Sequence, residues 1–475
     1  MIETVEASLG DTQLCVVGFG SDAQIDGPLL ARIASDHGGQ FTRALDGLLL
    51  QKFFGVCFED GALADPEHIL HEGDEFSDPH IINVCGEKQI TIIIGWGSTA
   101  TPLRIHIRPP KGKNVGGKYI KETRGRTWLF VRIPLPHNRK RDGHWTFTVD
   151  RVPTGGEFPP PPTDVKYFFL VVCAGGPKLR YLGSQQRLYT GDAINPMVSL
   201  QYPNGTVPHG AKIQLHVVAS TRALGALVQK SGLKTPRIDS DAISAFRSTL
   251  QEIERKHDRL PIAPDTMTIS LHDDGMHDDG AMDPDGVFNN PLSEFAVVEG
   301  TYDYRAVVQY GDGCAASREA FWSVHVEPGI DPDASDSSIV DVTDVDGTNR
   351  GTFVVIPRDR YGNPLGPGRS DIFDVYPVAD VVLTGEVKDR SDGSYSIGIK
   401  WGADVDKPSI MLQQPDRPPG LFVPPAPKGP SECAEPECSG KAEALLDCMG
   451  LPESEVKKIR IKSVCFEVTM KEDDC

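Results

Sequence analysis

Short apolar runs that alternate with polar residues dominate the chain and predict a mainly β structure. Residues 88–96, 103–108, 127–133 and 143–151 place apolar side chains at about every second position, which is the period of a strand with one buried face. The 48 glycines and 38 prolines fall largely between such runs, as expected for many strands joined by turns. The pattern therefore predicts a multidomain tandem of β-sandwich, immunoglobulin-like modules.

The first sixty residues have a different, α/β rhythm. Residues 14–19 form an apolar run of buried-strand type, and Pro28 then opens a helical stretch that ends at a glycine pair. A short strand over 40–44 and a second helix over 45–58 complete the pattern. We expect a small α/β piece at this end of the chain.

This piece, GFGSDAQIDGPLLARIASDHGGQFTRALDGLLLQKFF, resembles the last third of a von Willebrand factor A domain. The resemblance implies that residues 1–60 are the C-terminal portion of such a domain. The metal-ion-dependent adhesion site of that family uses a DxSxS motif, which residues 1–60 lack. Ligand binding through that site is therefore not expected, and a truncated gene model, or completion by another chain, is the favoured explanation.

Shifts in composition divide the remaining chain into modules. We expect a β-sandwich over 75–152, a proline-rich linker at 157–163, and a second β-sandwich over 164–328 whose strands begin at 167–173. The second sandwich carries an inserted amphipathic helix over 239–258 and an aspartate-rich loop. A further module over 349–415 and a cysteine-bearing tail over 431–475, with a short helix at 441–449, complete the chain.

The module over 349–415 carries two recognisable motifs, IPRDRYGNP at 356–364 and VKDRSDGSYSI at 387–397. They resemble the DxxGNP turn and the DxxDG[ST]Y strand of a filamin-type immunoglobulin repeat. The resemblance implies that this module is such a repeat.

The strongest candidate for chemistry is the run LHDDGMHDDGAMDPDGVF at 271–288. Its crowded carboxylates repel one another unless a cation or full solvation relieves them, and its glycines permit tight turns. The run therefore predicts either a Ca²⁺ site or a solvated connection between strands, although it does not fit an EF-hand. His272 and His277 are poor calcium ligands and point instead to a transition metal. The expected calcium ligands are Asp274, Asp279, Asp283 and Asp285.

The same run, followed by Glu299-Gly300-Thr301-Tyr302, has a second resemblance. It is similar to the β-sandwich region that follows the von Willebrand A domain in calcium-activated chloride channel regulator-like proteins. The resemblance implies a turn-rich connection leading into a sandwich strand, where a cation would stiffen a joint.

Charge and segment composition exclude several classes of function. The formal charge of −19 argues against nucleic-acid binding, which needs a basic surface. No apolar run approaches the roughly 18 to 20 residues of a membrane span. The N-terminus lacks the features of a signal peptide, so the protein is either cytoplasmic or begins inside a longer secreted precursor, in which case it is extracellular or at the cell surface.

Cysteines and a sequon leave the compartment open. Cys15, Cys57, Cys85 and Cys173 lie in apolar runs, which favours buried free thiols. Asn204 begins an Asn-Gly-Thr sequon and is a candidate glycosylation site if the chain is secreted. The tail offers five disulfide candidates, Cys433, Cys438, Cys448, Cys465 and Cys475.

No catalytic motif is present. The chain has no HExxH, GxSxG or GxxxxGK[ST] sequence, so we do not expect an enzyme. The favoured function is a non-enzymatic scaffold for adhesion or protein–protein interaction at a cell surface or in matrix, stabilised by calcium, with protein partners and an open oligomeric state. The alternatives are an intracellular filamin-like scaffold and the non-catalytic half of a secreted protease-bearing protein.

Overall fold

A computed structural model gives the structure of most of the chain. It describes residues 14–58, 62–64, 68–116, 120–152, 164–183, 187–233, 242–280, 284–293, 295–311, 315–424, 456–462 and 465–470. Strands dominate these ranges, so the protein is a mainly β, multidomain tandem of sandwiches with a small α/β piece, which confirms the predicted fold class. No helix in the described ranges is long and apolar enough to span a bilayer.

The N-terminal α/β piece follows the predicted order of elements. It contains β1 (Cys15–Phe19), α1 (Gly27–Asp36), β2 (Gln40–Ala44) and α2 (Gly47–Phe58). Strands β1 and β2 pair in parallel, and the side chain of Asp26 caps α1 by accepting a hydrogen bond from the Leu29 amide at 3.2 Å. Pro28 occupies the first turn of α1, where a proline ring is tolerated.

The first sandwich contains nine strands around a core rich in tryptophan and phenylalanine. One sheet has the order β5-β10-β7, and the other has the order β3-β11-β6-β9-β8, with β4 also paired to β11. Trp96, Trp145 and Phe147 are completely buried between them. The strands are β3 (Ala62–Ala64), β4 (His68–Leu70), β5 (His80–Val84), β6 (Gln89–Trp96), β7 (Leu103–Arg108), β8 (Lys121–Arg124), β9 (Trp128–Pro134), β10 (Gly143–Arg151) and β11 (Val165–Ala174).

Strand β11 corrects the predicted start of the second sandwich at residue 164. Tyr167–Ala174 pairs residue by residue with the Gln89–Trp96 strand of the first sandwich, and β3 and β4 cover its other edge. The unbroken apolar run of β11 fits this central position, because a strand buried on both faces needs apolar residues throughout. The proline-rich linker therefore joins two strands of one module, and the boundary lies after residue 174.

The second sandwich contains a three-stranded and a five-stranded sheet. Their orders are β12-β14-β17 and β13-β19-β18-β15-β16, and a continuous apolar core that includes Trp322 fills the space between them. The amphipathic helix predicted over 239–258 is present as α4. The elements are β12 (Lys178–Tyr181), β13 (Leu188–Tyr189), β14 (Val198–Gln201), β15 (Lys212–Ser220), α3 (Leu224–Ser231), α4 (Ala242–His257), β16 (Pro264–Leu271), β17 (Val287–Phe288), β18 (Gly300–Tyr310) and β19 (Ala316–Glu327).

The third sandwich lies where the filamin-like motifs occur. Its sheets have the orders β20-β21-β25-β23, with β24 also paired to β25, and β22-β26-β27. Asp359 shapes the IPRDRYGNP turn by accepting hydrogen bonds from the Tyr361 and Asn363 amides at 3.0 and 2.9 Å. The strands are β20 (Asp336–Val345), β21 (Thr348–Ile356), β22 (Asp374–Pro377), β23 (Val381–Leu383), β24 (Lys388–Asp389), β25 (Tyr395–Gly402), β26 (Ile410–Gln413) and β27 (Gly420–Phe422).

In the tail, the structure describes one hairpin, β28 (Val456–Lys462) and β29 (Cys465–Met470), which pair antiparallel. The helix predicted at 441–449 and most of the tail cysteines lie outside the described residues, and for Cys465 only its place in β29 is described.

Disulfides correct the prediction of buried free thiols. Cys15 at the start of β1 is bonded to Cys57 near the end of α2, and Cys85 is also disulfide-bonded. Of the four cysteines, Cys173 is the free and buried one, and burial raises the pKa of its thiol to about 11. The prediction of burial is also wrong for three of the four, because Cys15 is exposed and Cys57 and Cys85 are half-buried.

The α/β piece packs against both the first and the second sandwich. Phe53 of α2 lies in a cluster with Phe168 and Leu170 of β11 and with Phe321 of β19. The side-chain amide of Gln40 also donates to the Phe321 carbonyl at 3.2 Å. These contacts bury part of the surface that two parallel strands and two helices would otherwise expose.

Candidate functional site

Strand β16 presents a long open edge. All eight of its residues pair with β15, and in the described part of the chain no strand pairs with its other side. Residues 264–268 and Ser270 are exposed. Such an edge offers unpaired backbone donors and acceptors to an added strand. The exception is Ser270, whose carbonyl already accepts a hydrogen bond from the Asn290 side chain at 2.9 Å.

The two faces of β16 differ in chemistry. On one face Thr268 contacts His216 of β15 through a hydrogen bond of 2.9 Å. On the other face Ile269 packs against the core of the second sandwich, and Met267 remains 39% exposed. An added strand would therefore meet hydroxyl groups on one side and apolar groups on the other.

The other long edge strand, β20, differs from β16 in regularity. Its pairing with β21 shifts between Val340 and Thr343, and Asp341 has a positive φ of 55°. A bulge of this kind twists an edge and disfavours the addition of another strand. Strand β16 keeps a continuous register, so it is the better candidate for strand pairing.

A cleft of about 1020 Å³ lies at the start of β16. Gln24 and Leu45 of the α/β piece line one side of it, Glu254 and Arg255 of α4 line another, and Pro264 marks where the strand begins. Leu45 is 57% exposed, so the cleft combines apolar and charged surface. A partner segment that runs along β16 would enter this cleft.

The aspartate-rich loop lies at the other end of β16 and is held together by its own carboxylates. Asp279 accepts hydrogen bonds from the amides of Asp274 and Gly275, the latter at 2.9 Å. Asp273 accepts from the amides of Asp285 and Gly286, at 3.1 and 2.9 Å. These bonds tie the start of the loop to its end.

Two glycines make this arrangement possible. Gly275 and Gly286 have positive φ values of 72° and 85°, which side chains with a Cβ rarely adopt. At Gly286 an added Cβ would also lie 2.8 Å from the Leu200 carbonyl oxygen. The spacing of aspartate and glycine in the sequence thus encodes a folded turn.

The predicted calcium ligands have different surroundings. Asp279 is 2% exposed; burial alone would raise its pKa, but the amides of Gly275 and Asp274 hold the pKa below its usual value. Asp285 accepts a hydrogen bond from the Val287 amide at 2.9 Å, and Asp274 accepts one from the Met276 amide at 3.0 Å. Asp283 lies outside the described residues, so calcium binding by this set stays a prediction.

The loop brings together His272, Asp274 and His277. One possible ligand atom from each lies within 4.8 Å of the others, the one such group in the described ranges. His277 Nδ1 lies 2.8 Å from Asp274 Oδ1, and this contact lowers the pKa of Asp274. The two imidazole rings stack with their centroids 4.3 Å apart.

A buried charge cluster at the junction of the α/β piece and the second sandwich was missed by the sequence reasoning. The guanidinium of Arg43 contacts Asp22 at 3.0 Å and Asp303 at 2.6 Å. Thr301 donates from its hydroxyl to Asp22 and lies 3.0 Å from His325 Nδ1. Burial would raise the pKa of Asp22, but Arg43 holds it below its usual value.

A second ion pair ties the third sandwich to this region. Arg369 contacts Glu299, whose other oxygen accepts from the Gly225 amide at the start of α3. The guanidinium of Arg369 also lies over the Phe246 ring of α4, at 3.7 Å from its centroid. Partners that lie up to 280 residues apart give no local sequence signal, which is why these pairs were not predicted.

The predicted glycosylation site is sterically open. Asn204 is exposed in a turn after β14, and its side-chain oxygen accepts hydrogen bonds from the Thr206 amide and hydroxyl at 3.2 and 2.8 Å. The sequon therefore occupies an accessible position.

Comparisons with known proteins give no family. The chain matches no protein-family model, and a search of the curated proteins finds no match. Similar solved structures include a Bacillus licheniformis lipase in its propeptide form (10% identity over 66% of this chain, TM-score 0.27), of whose length the chain spans 59%. An I-band fragment of titin (9% identity, 73% of this chain, 97% of the fragment, TM-score 0.24) and an Escherichia coli adhesin (11%, 77%, 100%, 0.23) are also similar. At these scores neither identity nor function is drawn from the similarity.

Proposed function

We propose that the protein is a non-enzymatic scaffold for adhesion or protein–protein interaction at a cell surface or in extracellular matrix. The observation that carries the proposal is the open edge of β16, which is continuous in register and flanked by a cleft. Ion pairs join the α/β piece and the third sandwich to the second sandwich, which supports a fixed position for the edge. A rigid edge of this kind suits the capture of an extended partner segment.

Strand addition supplies the mechanism. A partner segment pairs with the backbone of residues 264–269 and extends the five-stranded sheet by one strand. Backbone hydrogen bonds give affinity, and the alternation of hydroxyl and apolar groups along β16 selects a segment with matching alternation. Each such bond contributes about 0.5–1.5 kcal/mol net, so several residues must pair for a stable complex.

Two features support an extracellular setting over the intracellular alternative. Disulfides such as Cys15–Cys57 persist in oxidising compartments and are rare in the cytosol. The exposed sequon at Asn204 is usable only on a secreted chain.

The family proposal rests on the α/β piece. The parallel pairing of Cys15–Phe19 with Gln40–Ala44, each strand followed by a helix, supports descent of this piece from a von Willebrand A domain. The order of the subsequent modules supports a relationship to calcium-activated chloride channel regulator-like proteins, with a filamin-like repeat over 349–415.

The edge can be tested by placing charge on it. Lysine on an exposed edge opposes strand addition, so Thr266→Lys combined with Thr268→Lys should weaken partner binding. Surface plasmon resonance of the full chain against immobilised collagen, fibronectin, laminin and the chain itself measures this. We expect binding to at least one of these surfaces and a loss of about tenfold or more, since each 1.4 kcal/mol corresponds to tenfold.

The matched control places the same charges on the bulged edge. Ser338→Lys combined with Thr343→Lys lies on exposed positions of β20 and should leave binding within about twofold, because this edge is not the docking strand. Equal loss in both variants, unchanged binding in the β16 variant, or no binding by the wild type to any of the surfaces would overturn the strand-addition proposal. Circular dichroism checks that both variants fold.

A further inference from the structure

The aspartate-rich loop combines two imidazoles and a carboxylate at one point. We propose that His272, Asp274 and His277 form a binding site for a divalent transition metal, with Zn²⁺ as the best-fitting ion. Their possible ligand atoms all lie within 4.8 Å of one another. This inference goes beyond the proposed scaffold function and does not depend on it.

Hydrogen bonds fix the backbone at His272 and Asp274, the first two ligands of the proposed site. His272 directly follows β16, and its amide and carbonyl exchange hydrogen bonds of 2.9 Å with Asn289 across the loop. The amide of Asp274 is held by the Asp279 carboxylate. Fixed backbone at these positions reduces the ordering that a metal would otherwise have to impose.

The three side chains already face one another. His277 Nδ1 lies 2.8 Å from Asp274 Oδ1, and the His272 ring stacks on the His277 ring with planes 21° apart. Ligands at about 2.0–2.1 Å from a tetrahedral Zn²⁺ lie roughly 3.4 Å from one another. Closing the group around an ion therefore needs the spacing of the ligand atoms to shrink from at most 4.8 Å to roughly 3.4 Å.

The site is also accessible to solvent, and its loop holds a further carboxylate oxygen without a hydrogen-bond partner. The side chains of His277 and Asp274 are 33% and 34% exposed, so an ion can enter from solvent. Asp279, only 2% exposed, keeps an Oδ1 with no hydrogen-bond partner in the described part of the chain, although its Oδ2 holds the turn that carries Asp274. An unpartnered buried carboxylate oxygen in the same loop, two residues after His277, favours a nearby cation.

The donor set selects the class of metal. Ca²⁺ takes six to eight oxygen ligands, whereas imidazole nitrogen with one carboxylate suits Zn²⁺, Cu²⁺ or Ni²⁺. Three protein ligands leave a fourth position open for water or for a group of a bound partner. A bound metal would therefore fix the C-terminal end of β16, the open edge strand. Its free coordination position could accept a ligand from a partner beside that strand.

Isothermal titration of the full chain with ZnCl₂ tests the site, after alkylation of free thiols so that cysteines do not contribute. We expect one equivalent of Zn²⁺ to bind the wild type. His272→Gln combined with His277→Gln should weaken this binding at least about tenfold, because two of three direct ligands are lost. The matched control, His144→Gln combined with His257→Gln, changes two exposed histidines elsewhere and should bind as the wild type does.

Two further measurements identify the metal and its geometry. Titration with Co²⁺ should give visible absorption bands in the wild type and in the control, and weaker bands in the His272/His277 variant. Thermal unfolding should show a larger stabilisation by Zn²⁺ than by Ca²⁺ at equal concentration, since ligands that bind only the native state stabilise it.

The outcomes separate the proposals. Equal Zn²⁺ binding by the wild type and the His272/His277 variant, or no binding by the wild type, would refute the site. Stabilisation by Ca²⁺ without Zn²⁺ binding would refute it in favour of the predicted calcium site. None of these results bears on strand addition at β16, which is measured with protein partners.

Discussion

Two acid-rich regions of this protein use carboxylates in opposite ways. In the loop over 271–288 the carboxylates of Asp273 and Asp279 accept hydrogen bonds from backbone amides of the same loop, four to thirteen residues away. At the junction of the α/β piece with the second sandwich, Asp22 and Asp303 instead surround one guanidinium, that of Arg43. The loop is a local structure, whereas the junction joins parts of the chain that are far apart in sequence.

The two regions differ in what is left without a partner when one charged side chain is removed. Removing a loop carboxylate leaves backbone amides that water can reach, because much of the loop is exposed. Removing Arg43 leaves the buried Asp22 and the half-buried Asp303 without a counter-charge. A buried uncompensated charge is far more costly than a lost hydrogen bond. We therefore expect the junction, which looks unremarkable in sequence, to matter more for stability than the conspicuous loop.

The largest expected effect comes from Arg43→Ala. It should lower the free energy of unfolding by about 3–5 kcal/mol, because the buried Asp22 and the half-buried Asp303 lose their counter-charge. Denaturant unfolding followed by tryptophan fluorescence measures the change. The matched control is Arg255→Ala, whose side chain is 76% exposed in its pair with Glu252 and should change stability by less than about 1 kcal/mol. Similar losses in the two variants would contradict the comparison.

An intermediate effect is expected when the pH is lowered, because a buried histidine at the junction is then protonated. Burial lowers the pKa of His325 from 6.5 to about 4. As the pH falls, His325 is protonated in the unfolded chain before it is protonated in the folded protein. The stability associated with neutral His325 is therefore fully present above about pH 6.5 and is lost between about pH 6.5 and 4. The loss amounts to roughly 3 kcal/mol. The charged groups around it are Asp22, Arg369, Arg43 and Asp26.

His325→Gln tests this dependence, since glutamine does not titrate. Unfolding free energies measured between pH 7 and 4 should fall less steeply in the variant than in the wild type. His257→Gln, at an exposed position at the end of α4, serves as the control and should keep the wild-type slope. If the His325 variant kept the wild-type slope, His325 would not be the group responsible for the pH dependence of stability.

The smallest effect is expected from Asp279→Ala in the loop. Two backbone amides lose their acceptor, which should cost about 1–3 kcal/mol. Because the pKa of Asp279 is lowered, its contribution is present at neutral pH and fades as the pH falls through that pKa. Asp278→Asn, an exposed neighbour with positive φ, is the control, since asparagine tolerates that backbone. A loss larger than that of Arg43→Ala would reverse the comparison.

Sequence reasoning succeeded where the signal was local. The helix that opens at Pro28, its end at the glycine pair and the short strand at 40–44 are encoded by patterns within a few residues, and the structure contains each of them. The loop was found for the same reason, because its aspartates and glycines adjoin one another. The prominence of His272 and His277 within it was also visible.

Long-range pairing was beyond such reasoning. Arg43 and Asp303 lie 260 residues apart, and each looks like an ordinary surface charge in its own segment. Strand β11 was assigned to the wrong sandwich for a related reason. The proline run before it indicates a break in local structure, but strand partners are chosen by packing across the whole module.

The position of β11 has a consequence for dividing the chain. The eight residues of β11 that pair with β6 connect the N-terminal and C-terminal sides of the proline run, in addition to the contacts of the α/β piece with the second sandwich. A protease cut within 153–163 should therefore leave two fragments that remain associated under native conditions. Expressed separately, 1–152 would lack the middle of a sheet and should be rescued by adding 164–475, as in fragment complementation.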